Sequence, residues 1–243
     1  AIFHTDGGGS VRVKGALHVE TESESPEEQI VALCMENCTL TAVPDAGYTF
    51  DGWYDGPQEY GHLLSTEQIY EYVPLGPLRH IYAVFMPAEI QLDVLNTANC
   101  YIAPELLRDY SFDATVQGNG CATLNIAPQR LSGAYARLIW ETGTQANSVI
   151  SSLGYDGSRI RFRTGTQQGN ALIGLFDTWG ECVWSWHIWV TDYNPESSSQ
   201  KYSSGDIFMD RNLGAVGTDY TKVTACGLYY QWGRKDPFPY PAS

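Results

Sequence analysis

The chain has 243 residues, of which 17% are charged and 13% aromatic, with a formal net charge of −14 and a pI near 4.6. That charge repels phosphate backbones and anionic lipid surfaces, and no Lys/Arg cluster offsets it, which argues against nucleic acid as a partner. No apolar run approaches the roughly 18 residues that a membrane-spanning helix needs, so no transmembrane segment is expected. No charged n-region with an apolar h-region opens the chain, so Ala1 reads as a mature or trimmed start.

From the N-terminus, Gly7-Gly8-Gly9-Ser10 leads into the alternating Val11 and Val13, a break at Gly15, then Leu17 and Val19. An acidic stretch at residues 20–28, with Pro26, reads as an exposed loop. Short β-type runs follow at Ile30-Val31-Ala32-Leu33 and Thr39-Leu40-Thr41-Ala42-Val43, ended by Pro44-Asp45-Ala46-Gly47. Gly47-Tyr48-Thr49-Phe50-Asp51-Gly52-Trp53-Tyr54 predicts a strand in which Gly52 marks a bulge or a close backbone approach. Two more strands are expected at residues 69–73 and 80–85, separated by a loop with Pro74, Gly76 and Pro77. Pro87 and Ala88 mark a domain boundary.

Beyond it, strands are expected at residues 98–103, 110–116, 122–126, 136–141, 158–163, 171–176 and 182–191. Turn signals separate them, among them Gly118-Asn119-Gly120, Thr142-Gly143 and Asp156-Gly157. Short strands at this spacing describe a β-sandwich, and no helical periodicity supports a βαβ reading. The last stretch is looser: a Ser-rich loop at residues 194–205, then strong local motifs with too few residues to close a domain, so it reads as a cut-short extension. The expected architecture is all-β, a small β-repeat (β-grasp-like) module at 5–87 followed by a β-sandwich at 88–193, with a C-terminal extension at 194–243.

The first segment resembles the bacterial β-repeat family related to the internalin B-repeats. The residues that carry this are Gly8-Gly9-Ser10-Val11, Leu40-Thr41-Ala42-x-Pro44, Gly47-Tyr48-x-Phe50-x-Gly52-Trp53-Tyr54, Leu64-Ser65-Thr66 and Ile81-Tyr82-Ala83-Val84-Phe85. The resemblance implies a β-grasp-like spacer or adhesive module of a surface protein. The acidic insertion and the Cys34/Cys38 pair depart from the family's pattern. The second half resembles fimbrillin-like surface proteins of Bacteroides-type bacteria. It does so through Asn99-Cys100-Tyr101-Ile102, Leu138-Ile139-Trp140-Glu141, Val183-Trp184-Ser185-Trp186-His187-Ile188-Trp189, Met209-Asp210-Arg211-Asn212-Leu213-Gly214-Ala215 and the run from Gly227 to Phe238. That likeness implies secretion to an outer-membrane cell surface and an adhesive role.

The six cysteines form no C-x-x-C and no zinc-finger spacing to a His pair, so no metal is expected. Six cysteines allow fifteen complete pairings. Cys100 and Cys121 flank a possible hairpin and are the first candidates for a disulfide, with free buried thiols as the alternative. In the Trp-rich strand, Trp184, Trp186, Ile188 and Val190 share one face, the expected core face. His187 falls on the other face, where a hydrogen-bonded structural role is more common than a ligand or base.

No G-x-S-x-G, H-E-x-x-H, Walker A, G-x-G-x-x-G or Asp-rich calcium loop is present, so neither catalysis nor a cofactor is expected. Non-catalytic adhesion or surface display is the leading reading, with a host or bacterial surface protein, or a glycan, as partner. Strand exchange at a sheet edge would allow self-assembly. The alternative is a carbohydrate-binding module of a glycan-uptake system. Trp53, Tyr54, Tyr60, Tyr229, Tyr230 and Trp232 are the candidate contact residues, since sugar rings stack on exposed aromatic faces, against the competing expectation that such aromatics fill small cores.

Overall fold

The computed structural model describes residues 1–5, 7–15, 19–22, 29–32, 37–57, 60–73, 79–118 and 127–239. The acidic stretch expected as an exposed loop at 20–28 begins as a strand, since Val19–Glu22 pairs antiparallel with Gln29–Ala32. Its residues 23–28, Cys34, the Pro/Gly loop at 74–78, Cys121 and the strand expected at 122–126 lie outside the described residues. The all-β expectation holds. Helical geometry among the described residues is confined to one turn at Pro195–Ser198 and a 3-10 turn at Val223–Ala225. The chain forms two compact units, residues 1–88 and 89–243.

The first unit is built from β1 (Ile2–Thr5), β2 (Gly9–Lys14), β3 (Val19–Glu22), β4 (Gln29–Ala32), β5 (Cys38–Pro44), β6 (Tyr48–Tyr54), β7 (Leu63–Ser65), β8 (Ile69–Tyr72) and β9 (His80–Pro87). A six-stranded sheet has the order β3-β4-β1-β9-β6-β7, and a three-stranded sheet the order β2-β5-β8. β1 pairs in parallel with β9 and antiparallel with β4, which makes it a central strand and extends the unit to the start of the chain. The apolar positions of both sheets meet in one core containing Phe3, Val11, Leu40, Trp53, Ile81 and Phe85.

Trp53 is completely buried, with its indole N–H donating to the Glu67 carbonyl at 2.9 Å. Phe50 and Tyr70 pack on its ring at centroid distances of 5.3 and 6.2 Å. Gly52 has both properties expected of it. The β6–β9 register shifts between Phe50 and Gly52, and a Cβ there would come within 2.5 Å of Leu63 and 3.1 Å of the Ser65 carbonyl. Only a residue without a side chain lets β7 approach so closely.

The second unit contains β10 (Ile90–Gln91), β11 (Cys100–Ala103), β12 (Asp109–Asp113), β13 (Tyr135–Glu141), β14 (Ile150–Tyr155), β15 (Arg159–Thr164), β16 (Gly169–Phe176) and β17 (Cys182–Val190). They form two four-stranded sheets, β10-β12-β15-β14 and β11-β17-β16-β13, with β10 and β11 adding in parallel to otherwise antiparallel partners. The sheets share one core, to which the first gives Tyr110, Phe112, Ile160 and Phe162, and the second Ile173, Trp186, Ile188 and Val190. A β-sandwich results. The expected core face of β17 is the core face: Trp186, Ile188 and Val190 lie in the core, with Trp184 packed against it.

The first of these sheets behaves as a half-buried sheet should. Arg159, Arg161 and Arg163 alternate with core residues along β15, and each faces a carboxylate: Asp93 at 2.6 Å, Glu89 at 2.9 Å and Asp109 at 2.6 Å. The second sheet does not. All eight residues of β16 are buried, as is β17 from Ser185 to Val190. Strands buried on both faces need a cover on the far side. The cover is the C-terminal stretch, which the sequence reading set apart as an extension at 194–243 and which packs within the second unit.

Replacing Trp53 with Ala removes the largest side chain of the first core, and a loss of about 3–5 kcal/mol is expected for such a truncation. Denaturant unfolding followed by hydrogen exchange at β6 amides will read it. A loss below about 1 kcal/mol would mean the core closes around the gap.

Candidate functional site

The outer face of the sheet β11-β17-β16-β13 holds most of the polar chemistry of the second unit. Odd-numbered residues of β17 point there, so Ser185, His187 and Trp189 lie opposite the core set. Cys100 pairs with His187 across β11–β17, and Leu172 with His187 across β16–β17. Cys100 Sγ lies 3.1 Å from His187 Nδ1, and His187 Nε2 lies 2.9 Å from Asn170 Oδ1. Asn170 Nδ2 donates to the Gly214 carbonyl at 2.8 Å. The last bond fixes the amide: its nitrogen faces Gly214, so its oxygen faces His187. Nε2 therefore carries the imidazole proton, and Nδ1 accepts from the Cys100 S–H.

Cysteine, histidine and an orienting amide are also the parts of a thiol nucleophile site. Their protonation here is the opposite of what that chemistry requires. Burial pushes the Cys100 thiol up to about 12. Burial pushes His187 down to about 4, against a weaker upward pull from Asp236. The proton stays on sulfur, the imidazole stays neutral, and the chain of bonds ties Gly214 to the sheet. The expectation of a structural His187 agrees with this arrangement. Cys100, first candidate for a bridge to Cys121, carries a free thiol, as do Cys182 and Cys226. Cys38 is disulfide-bonded.

Further contacts seat the C-terminal stretch. Ser185 Oγ donates to the Asp236 carboxylate at 2.8 Å, and Lys235 Nζ donates to the Ser185 carbonyl at 2.6 Å. The same ammonium sits over the Trp184 ring at 4.6 Å. Trp189 stacks on Tyr193 at 5.3 Å, and the Arg211 guanidinium covers Tyr193 at 5.2 Å while bonding Asp210 and Asp192. Gly214 has φ +84°, and a Cβ there would meet Leu228 at 2.6 Å. The Asp-Arg-Asn-Leu-Gly motif is thus a docking element: Arg211 caps an aromatic pair, and Gly214 lets the backbone reach Asn170.

The proposed contact residues separate into groups. Trp53 is enclosed in the first core and has no face to offer a ligand, which corrects its assignment as a contact residue. Tyr54 is half-buried and donates its hydroxyl to Asp51 at 2.7 Å. That bond, with burial behind it, pushes its phenol up. Tyr60 stands exposed in the first unit.

Tyr229, Tyr230 and Trp232 belong to a loop closed by reciprocal backbone bonds between Tyr229 and Phe238 at 3.2 and 2.9 Å. The Arg234 N–H donates to the Gln231 carbonyl at 3.0 Å across a turn whose third residue, Gly233, has φ +78°. Trp232 occupies the second turn position, fully exposed at the tip. Tyr229 and Tyr230 are about half exposed, and burial beside Cys100 pushes the Tyr230 phenol up.

Sequence reasoning missed Trp179, which is 88% exposed in the β16–β17 turn. It also missed an open cavity of about 400 Å³ on the C-terminal stretch, lined by Met209, Asp210, Arg211, Asn212, Tyr220 and Cys226. Asp210 and Asp192 already balance the charge of Arg211 there. Among the described residues no three His, Cys, Asp or Glu side chains gather as a metal site would require.

Residues 4–69 match the family model of the divergent InlB B-repeat domain. The match runs from within β1 to the start of β8 and includes the Gly47–Tyr54 motif strand, which supports the B-repeat module expected there. No curated protein matches the chain.

Two outcomes follow from the Cys100–His187 pair. His187 has a folded pKa below its unfolded value, so the unfolded chain binds more protons and stability falls as pH drops from about 6.5 toward 4. The contribution reaches about 3 kcal/mol near pH 4, an order-of-magnitude figure at about 1.4 kcal/mol per pKa unit. Calorimetric unfolding of His187→Gln should therefore show a shallower acid slope than wild type, and parallel slopes would contradict the assignment. Alkylation at pH 8, mapped by peptide mass, should modify exposed Cys226 fastest and leave Cys100 protected until the second unit unfolds. Rapid labelling of Cys100 would show that the cover is open.

Proposed function

We propose that the chain is a non-catalytic, cell-surface adhesive protein of bacteria. In this reading the B-repeat module is a spacer, the sandwich is a fimbrillin-like scaffold, and the loop at 229–238 is the contact element. The observation that carries it is the exposure of Trp232 at the tip of a loop closed by paired backbone bonds and anchored through Lys235 and Asp236 to β17. A large aromatic held rigidly in solvent loses little conformational freedom on binding and buries much area, as binding hot spots do. The match at residues 4–69 supports a surface setting. The neutral thiol and imidazole of Cys100 and His187 support a non-catalytic reading.

The second reading, a carbohydrate-binding module, is favoured by the kind of side chain exposed: Tyr60, Trp179, Tyr220, Tyr229 and Trp232 present aromatic faces. Binding of the labelled chain to epithelial and bacterial cell surfaces, run beside a glycan array, tests both. Trp232→Ala should weaken adhesion by about 30-fold, the effect of a 2 kcal/mol hot spot, with near-UV circular dichroism unchanged. Retained adhesion in that variant would remove the loop from the contact. Sugar hits lost in it would favour the glycan reading over a protein partner.

A further inference from the structure

Arg137 differs from the three arginines of β15 in what its guanidinium meets. The three β15 arginines face carboxylates. Arg137 lies exposed on edge strand β13, with its guanidinium carbon 4.2 Å from the centroid of the buried Phe176 ring. Among the described residues no carboxylate lies within ion-pair distance of it. Stacking on an aromatic face holds a guanidinium by its plane and leaves its N–H edges for a planar anion.

Tyr135, two residues earlier on the same face of β13, stacks on the same Phe176 ring at 5.6 Å and 13°. Phe176 thus contacts both a tyrosine and an arginine of β13. Gly180, with φ +85°, would place a Cβ 3.8 Å from the Tyr135 hydroxyl, which puts the β16–β17 turn within van der Waals reach of Tyr135. That turn carries Trp179. Asp177 Oδ1 accepts the N–H groups of Trp179 and Glu181, both at 2.9 Å, so the turn is clamped and the exposed indole is presented on a rigid support.

We propose that Trp179, Tyr135 and Arg137 form a subsite for a sugar ring bearing a carboxylate, such as a uronic acid unit. This inference rests on the glycan reading above and names a ligand class and a place distinct from the Trp232 loop. The polarised C–H face of a sugar ring meets the negative face of the indole. The guanidinium takes the carboxylate through paired N–H donors. The footprint, one Trp, one half-exposed Tyr and one Arg, suits a single ring and falls well short of the roughly 800 Å² per side of a stable protein interface. A phosphate-rich ligand fits poorly, because the net charge of −14 and Glu181 on the same turn repel multiple negative charges. A single carboxylate meets that repulsion once.

The test is a ¹⁵N NMR titration of the full chain with a disaccharide ending in glucuronic acid and with its glucose counterpart, the two differing only in the carboxylate. The Trp179 indole signal, assigned by its loss in Trp179→Ala, should shift with both. The acidic sugar should bind about tenfold tighter at low salt, as one charge-assisted contact gives. Arg137→Gln should erase that preference, Glu181→Gln should increase it, and Trp179→Ala should abolish the shifts that both sugars cause at the Gly180 backbone amide. Absence of any Trp179 shift, equal affinity for the two sugars, or a preference that survives Arg137→Gln would overturn the proposal. Binding that follows Trp232 would keep the glycan reading and reject this subsite. Binding of an acidic peptide but neither sugar would assign the patch to a protein partner and reject it too.

Discussion

Burial of β16 and β17 on both faces is the constraint from which the second unit takes its form. A sandwich needs one apolar face per sheet. Here the far face is closed as well, by a stretch of chain that forms little regular structure of its own. Irregular backbone can lie on a sheet only if its polar groups are matched, and the outer face supplies the matches. Asn170 takes the Gly214 carbonyl, Ser185 takes Asp236, and the Ser185 carbonyl takes Lys235. His187 joins the first of these to Cys100. Because Asn170, Ser185 and His187 each have a partner, these buried polar groups position the stretch instead of destabilising the sheet.

That arrangement links fold to function. The stretch has two ends of different character. Around Gly214 it is buried against the sheet, and around Trp232 it projects into solvent. The sheet holds the base of the loop, the loop closes on itself through Tyr229 and Phe238, and the aromatic tip stands clear. The β16–β17 turn repeats the design on a smaller scale, with Asp177 clamping the backbone that bears Trp179. In both places a fixed support carries an exposed tryptophan.

Much of the fold was legible where local pattern and tertiary burial agree. The alternation of Trp184, Trp186, Ile188 and Val190 identified the core face of β17, and Gly52 identified both a register shift and a close approach. β14 escaped because Ile150-Ser151-Ser152-Leu153-Gly154-Tyr155 is poor in strand-forming residues and is held by pairing with β15. β1 escaped because its identity as a central strand depends on partners distant in sequence. The docking of the C-terminal stretch escaped for the same reason, since its bonds span 44 to 51 residues. Among candidate contacts, clustering of aromatics failed at Trp53, whose neighbours Phe50 and Tyr70 are core, and overlooked Trp179, which stands alone in its turn. Exposure is a property of the assembled sheets, and composition carries only part of it.

The most direct test of this account is hydrogen exchange at single-residue resolution across the second unit. The amides of Ala215 and Leu228, which donate to Asn212 and Leu213 at 2.9 and 3.0 Å, should exchange as slowly as those of β16. They should also be released together with β16 when His187 is replaced by Ala. Fast exchange at Ala215 and Leu228 beside a fully protected β16 would show that the outer face is not closed by this stretch, and the account built on its docking would fall.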